Sequence, residues 1–120
     1  MPFNKVTLYS HPASPPSRAC LMLMKILEIN VDIKFVDLAQ KGHLDEEFLK
    51  LNPNHQVPVL VDGDFVLSES RAILAYLVNS RKPGSTLYPT NSKARALVDA
   101  RLYYDACVVF EQNAMAIVSL

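Results

Sequence analysis

An α/β fold is what this sequence predicts: a mixed sheet of about four strands with helices on both faces, followed by the start of an all-helical part. Three observations carry that expectation. The chain opens with strand-like and helix-like runs in alternation, a β pair then meets across Asp62-Gly63-Asp64, and a last long helical pattern contains neither Gly nor Pro.

The first run, Val6-Thr7-Leu8-Tyr9, is β-like and is stopped by the turn residues Ser10-His11-Pro12-Ala13-Ser14-Pro15-Pro16. Ser14 stands where an N-cap belongs, with prolines in the first helical positions, where a missing N–H costs nothing. From Ala19 to Leu27 the only polar residue is Lys25, so this helix is apolar nearly all round and is expected to be covered on two sides, with Met22 and Met24 as core filler. Val31 to Leu38 reads as a second strand, followed by a glycine loop and a short helix near Asp45 to Leu51. The stretch Asn52 to Pro58 leads to Val59-Leu60-Val61, the Asp-Gly turn, and Phe65-Val66-Leu67, a hairpin. Ser68 to Ser80 reads as a helix with Ile73, Tyr76 and Leu77 on one side; Arg81 and Lys82 favour its C-terminal end and Pro83-Gly84 stop it. A Pro-, Gly- and Ser-containing linker then precedes the long pattern from Ser92 to Leu120. The expected division is a domain at 1–83, a linker at 84–91, and at 92–120 the start of a helical domain. Because the chain ends within Met115-Ala116-Ile117-Val118 and its uncapped sequel, a truncated helical domain is expected.

Composition narrows the function classes. Half of the 120 residues are apolar, enough for one core but short for two complete domains. Twelve basic side chains balance 12 acidic ones, which gives no electrostatic reason to expect nucleic acid or an anionic membrane as partner. No apolar run approaches the roughly 18 residues that span a bilayer, and a cytoplasmic protein is expected. Cys20 and Cys107 lie far apart in apolar runs without zinc-ligand spacing, so both are expected to be buried, and no metal is expected.

The order of elements is similar to the thioredoxin-like βαβαββα fold, and five stretches resemble cytosolic glutathione transferases of the insect delta and epsilon classes. These are Ser14-Pro15-Pro16-Ser17-Arg18-Ala19; Gly42-His43-Leu44 with Glu47-Phe48-Leu49; Asn52 to Leu60; Glu69-Ser70-Arg71-Ala72-Ile73; and Leu87-Tyr88-Pro89 with Arg101-Leu102-Tyr103-Tyr104-Asp105. Ser-Pro-Pro in the first leans towards epsilon.

The resemblance implies glutathione as co-substrate and Ser14 as the catalytic residue. Glutathione carries two carboxylates, an ammonium and a thiol whose ordinary pKa lies above neutrality, so a transferase must hold the charges and favour the thiolate. Ser14 would donate its hydroxyl proton to the sulfur at the positive end of the first helix. A plain N-cap is the alternative, compatible with the first role, and Ser10 and Ser17 are its neighbours in competition. The resemblance further implies glutathione binding by His43 and His55 at the cysteinyl-glycine end, against the alternative of merely solvated loop histidines, and by Gln56, Val57 and Pro58. Val57-Pro58 resembles a cis peptide that presents the Val57 backbone like a short added strand, against the alternative of an ordinary trans bond. Glu69 would meet the ammonium and Ser70 the γ-glutamyl carboxylate, or the pair is merely a helix cap with an acidic start. Arg71 and Asp105 resemble a pair that supports that carboxylate, or a structural ion pair. His11 matches no family role.

Three functions compete. The first is a transferase joining glutathione to a hydrophobic electrophile in detoxification, working as a homodimer. The second is a non-catalytic interaction module on the same fold, which has no need of Ser14, His55, Glu69, Ser70 and Arg71 together. The third, a thiol-disulfide oxidoreductase, lacks its cysteine because Ser14 occupies that place.

Overall fold

The computed structural model describes residues 5–37, 46–54 and 56–112. The elements in chain order are β1 (Val6–Ser10), α1 (Pro15–Ile26), β2 (Val31–Phe35), α2 (Glu46–Leu51), β3 (Val59–Asp62), β4 (Phe65–Ser68), α3 (Ser70–Arg81) and α4 (Ser92–Tyr104). They form two compact units, Met1–Lys82 and Pro83–Leu120.

The first unit has the expected thioredoxin-like order. Its strands lie β2-β1-β3-β4, with β1 parallel to β2 and antiparallel to β3, and β3 antiparallel to β4. The β3–β4 turn needs Gly63, which takes φ 64, a region that side chains resist. Alternation along β1 sorts the core into two layers. Tyr9 faces α2, its ring 6.0 Å from that of Phe48, in a cluster with Val36 and Val59. Val6 and Leu8 point the other way, towards the layer where α1 and α3 bury Cys20, Met24, Ile73 and Leu77. Full burial of each such aliphatic side chain contributes roughly 1.5–3 kcal/mol.

Each helix end has a local cause. Ser14 caps α1, its hydroxyl oxygen accepting the Ser17 N–H at 3.2 Å, and Pro15 and Pro16 occupy the first two helical positions. At the other end Glu28 takes φ 55, and the N–H groups of Glu28 and Ile29 return to the carbonyls of Lys25 and Met24. That is a Schellman closure, with a glutamate where glycine usually sits. Helix α3 begins at Ser70 rather than Ser68, because Ser68 still pairs with Val59 in the sheet. Its far end is tied down by Asp62, which accepts from Tyr76 Oη at 2.6 Å and from Arg81 Nη1 at 2.9 Å.

Two expectations are corrected. Helix α1 is not covered on two sides: Met24 is buried as expected, but Met22 and Ile26 stand 65% and 64% exposed. Cys107 is exposed while Cys20 is buried. Apolarity in a sequence measures what a side chain could bury, whereas burial needs a partner surface.

In the second unit, Asn91 caps α4 by accepting from the Ala94 N–H at 3.0 Å. Arg95 donates to the Pro89 carbonyl at 2.7 Å and lies 4.1 Å over the Tyr88 ring, while Tyr88 donates to Asp99 at 2.7 Å. The helix widens into a π-helical segment, Asp105–Val109, then continues through residue 112 as α-helix.

Candidate functional site

Strand register gathers the candidate residues. Tyr9 pairs with Val59, and Val59 pairs with Ser68, so three chain segments leave the sheet at one end. One runs from Ser10 to Ser14, one arrives through Val57-Pro58, and one departs through Glu69-Ser70. Residues 50 apart in sequence meet there: the Cys20 thiol of α1 lies 3.9 Å from the Ser70 carbonyl of α3.

Ser14 is half-buried, whereas Ser10 and Ser17 are buried. In capping α1 its oxygen accepts a hydrogen bond, which uses a lone pair and leaves the hydroxyl proton to be donated. Ser17 Oγ instead faces the His11 N–H at 3.4 Å. Of the three serines, Ser14 alone is partly open to a ligand, and it stands at the positive end of α1.

The peptide bond between Val57 and Pro58 is cis, so the alternative of an ordinary trans bond is set aside. Asn52 holds the approach: buried, it donates from Nδ2 to the Gln56 carbonyl at 2.8 Å and accepts from the Asn54 N–H at 3.1 Å. Gln56 is exposed, Val57 half-buried and Pro58 buried. His43 and His55 lie outside the described residues.

Glu69 takes φ 73 and ψ 107 at the N-cap of α3, and its side chain makes no capping hydrogen bond. An ordinary acidic cap would bond the helix N–H groups from an unstrained backbone. Glu69 does neither, and strain of about 1–3 kcal/mol of this kind collects at functional positions. Its carboxylate is exposed while the following Ser70 is buried, accepting at its hydroxyl from Arg71 Nη1 at 3.2 Å. Burial pushes the Cys20 thiol up to about 12, against a smaller opposing pull from Arg71, so it stays protonated and inert beneath the site. Asp105 opens the π-helical segment of the second unit.

Sequence reasoning passed over two residues that shape this end of the sheet. Asn52 reads in the sequence only as the first residue of the family-like stretch from Asn52 to Leu60, and His11 matches no family role. What each does becomes apparent only once its hydrogen bonds are seen. Among the described residues, no three or more His, Cys, Asp or Glu gather into a set that could hold a metal ion, and no helix is long and apolar enough to cross a membrane.

Fold and site together define a thioredoxin-like domain with a half-buried serine capping the start of its first helix. Residues 4–79 match the family model described as glutathione S-transferase, N-terminal domain. The chain belongs to the glutathione S-transferase family and is of its insect delta/epsilon type. It is 46% identical over 107 residues to glutathione S-transferase 1 of Manduca sexta, covering 88% of this chain and 49% of that protein. An epsilon-class glutathione S-transferase from the housefly, Musca domestica, superposes with a TM-score of 0.90 at 41% identity, over 95% of this chain and 52% of that one. A glutathione transferase homolog from Drosophila mojavensis, solved with bound glutathione, gives a TM-score of 0.86 at 45% identity, over 88% and 48%. The chain thus spans about half the length of the curated relatives it matches.

Proposed function

We propose that this chain binds glutathione and stabilises its thiolate for attack on a hydrophobic electrophile, the reaction of a detoxifying glutathione transferase. The observation that carries the reading is Ser14: half-buried, at the start of α1, with its oxygen engaged as a cap, which leaves its proton to be donated. A hydroxyl donor and a helix N-terminus both favour an anion over its neutral form. The nucleophile is the sulfur of glutathione, and Ser14 gives it a hydrogen bond without attacking anything.

The remaining contacts follow from the shared end of the sheet. The Val57 backbone, turned by the cis bond to Pro58, pairs with the cysteinyl unit, with Gln56 beside it. Exposed Glu69 meets the ammonium, and the Ser70 N–H with Arg71 behind it receives the γ-glutamyl carboxylate. We assign His43 and His55 to the glycine end and Asp105 to a supporting role, on family resemblance alone. The same resemblance supports a homodimer, a cytoplasmic setting, and a domain division at 83 and 92. The even balance of 12 basic and 12 acidic residues supports a partner other than nucleic acid.

The test is glutathione-affinity binding of the chain beside a Ser14→Ala variant, with chlorodinitrobenzene conjugation measured on a full-length transferase carrying the same substitution. Binding of glutathione, with a conjugation rate that falls by about tenfold or more in the variant, is expected. A protein that neither binds glutathione nor loses rate on that substitution rejects the reading.

A further inference from the structure

We infer that His11 is a positioning residue for Ser14, holding the turn that aims the serine hydroxyl, an inference that rests on the reading of Ser14 as donor to the thiolate. Four contacts converge on it. Its carbonyl accepts the Ser14 N–H at 3.0 Å, which closes a four-residue turn, His11-Pro12-Ala13-Ser14. Its Nδ1 accepts the Ala13 N–H at 3.0 Å inside that turn. Its own N–H faces the Ser17 hydroxyl at 3.4 Å, one turn into the helix that Ser14 caps. Its ring lies against Phe35 of β2, with centroids 5.0 Å apart and planes at 34°.

The chemistry of the turn explains why a histidine serves here. The first position of such a turn, with proline second, favours Asp, Asn or Ser, because a short side-chain acceptor can bond the N–H two residues on. Histidine Nδ1 is separated from its Cα by the same number of bonds as the Oδ1 of asparagine, so the imidazole performs the asparagine's task. The ring adds what asparagine lacks, a face to rest on Phe35, and so couples the turn to the neighbouring strand. Ser14 is thereby fixed from both directions: forwards by the Ser17 N–H it caps, and backwards by the turn that His11 closes. A serine that must both cap a helix and donate to a sulfur has little tolerance for rotation. Without the His11 acceptor the Ala13 peptide is released and the hydroxyl loses alignment with the thiolate.

Substitution separates the acceptor from the ring. His11→Ala removes both, His11→Phe keeps the ring without the acceptor, and His11→Asn restores the acceptor without the ring. The readout is the pH midpoint for ionisation of bound glutathione, followed by the ultraviolet absorbance of its thiolate. Binding of S-methylglutathione, which has no thiol to ionise, is measured beside it, and circular dichroism confirms that each variant is folded. We expect His11→Ala and His11→Phe to raise the midpoint by roughly 0.5–1 unit, a threefold to tenfold fall in the ratio of thiolate to thiol at a given pH. S-methylglutathione should bind about as it does to the parent, and His11→Asn should bring the midpoint back. A merely structural role would weaken both ligands together and leave the midpoint where it was. Ser14→Ala is the control that keeps the two readings apart. If it raises the midpoint while His11→Ala and His11→Phe do not, or if His11→Asn fails to restore it, the role of His11 is overturned and that of Ser14 stands. If Ser14→Ala itself leaves the midpoint unmoved, the reading of Ser14 falls and this inference falls with it.

Discussion

Glu28 and Glu69 are the same residue type in strained backbone, and only Glu69 borders the candidate site. Both have positive φ, at 55 and 73, where a side chain crowds the backbone. Glu28 is exposed at the close of α1, and its strain is the incidental cost of a Schellman turn without glycine. Glu69 stands between β4 and α3, and its side chain makes no hydrogen bond to cap the helix it precedes. Glu28→Gly should therefore raise stability by about 0.5–1 kcal/mol, the relief of strain less the greater freedom of glycine in the unfolded chain, with glutathione affinity unchanged. Glu69→Gly should raise stability at least as much while weakening glutathione binding. Thermal unfolding and glutathione titration of the two variants check this. Equal affinities would mean that the strain at Glu69 is as incidental as that at Glu28. From sequence alone neither residue shows its positive φ, since neither is a glycine, an asparagine or a turn-forming pair that announces a left-handed backbone.

At the scale of elements, one carboxylate joins the hairpin to α3. The Asp62 carboxylate is held below its ordinary pKa, chiefly through the hydrogen bond from Arg81, against partial desolvation and with help from Tyr76. Tyr76 is raised, first by burial and then by the bond to Asp62. A lowered acid stabilises the fold above its unfolded pKa of about 3.9, and that contribution is lost as pH falls through the depressed value. A raised phenol stabilises it below an unfolded pKa of about 10, and that contribution is lost as pH climbs through the raised value. The network is therefore at full strength between roughly pH 4 and 10. Asp62→Asn should cost roughly 1–3 kcal/mol near neutrality and should flatten the acid limb of the stability profile. Denaturant unfolding across pH measures both, and an acid limb of unchanged steepness would show that other groups govern it. The elements themselves were legible before their linkage was. The Asp-Gly turn announced the hairpin and Pro-Gly the end of the helix, yet nothing in the spacing of Asp62, Tyr76 and Arg81 marks them as one cluster.

Over the whole molecule, burial is unevenly spread. Val6, Leu8, Leu60, Ile73 and Leu77 are fully enclosed in the first unit, whereas α4 and the π-helical segment contain no buried residue. Local opening is cheapest where few apolar contacts must be given up. Amide hydrogen exchange should accordingly be slowest in β1, β3 and α3 and faster throughout α4. Equal protection of α3 and α4 would contradict this. By itself the sequence determined the order of elements, the N-cap of α1, the hairpin and the family, because periodicity, turn residues and motif order are properties of short neighbouring stretches. It determined the identity of Ser14 and Glu69 as candidates by the same means. The tertiary structure decided which of three nearby serines stays open to a ligand, that Val57-Pro58 is cis, that Met22 and Cys107 face outward, and that His11 and Asn52 hold the segments beside Ser14 and Val57. Those outcomes depend on the register Tyr9–Val59–Ser68 and on surfaces brought together from distant parts of the chain, and no local pattern encodes what a side chain will meet after folding.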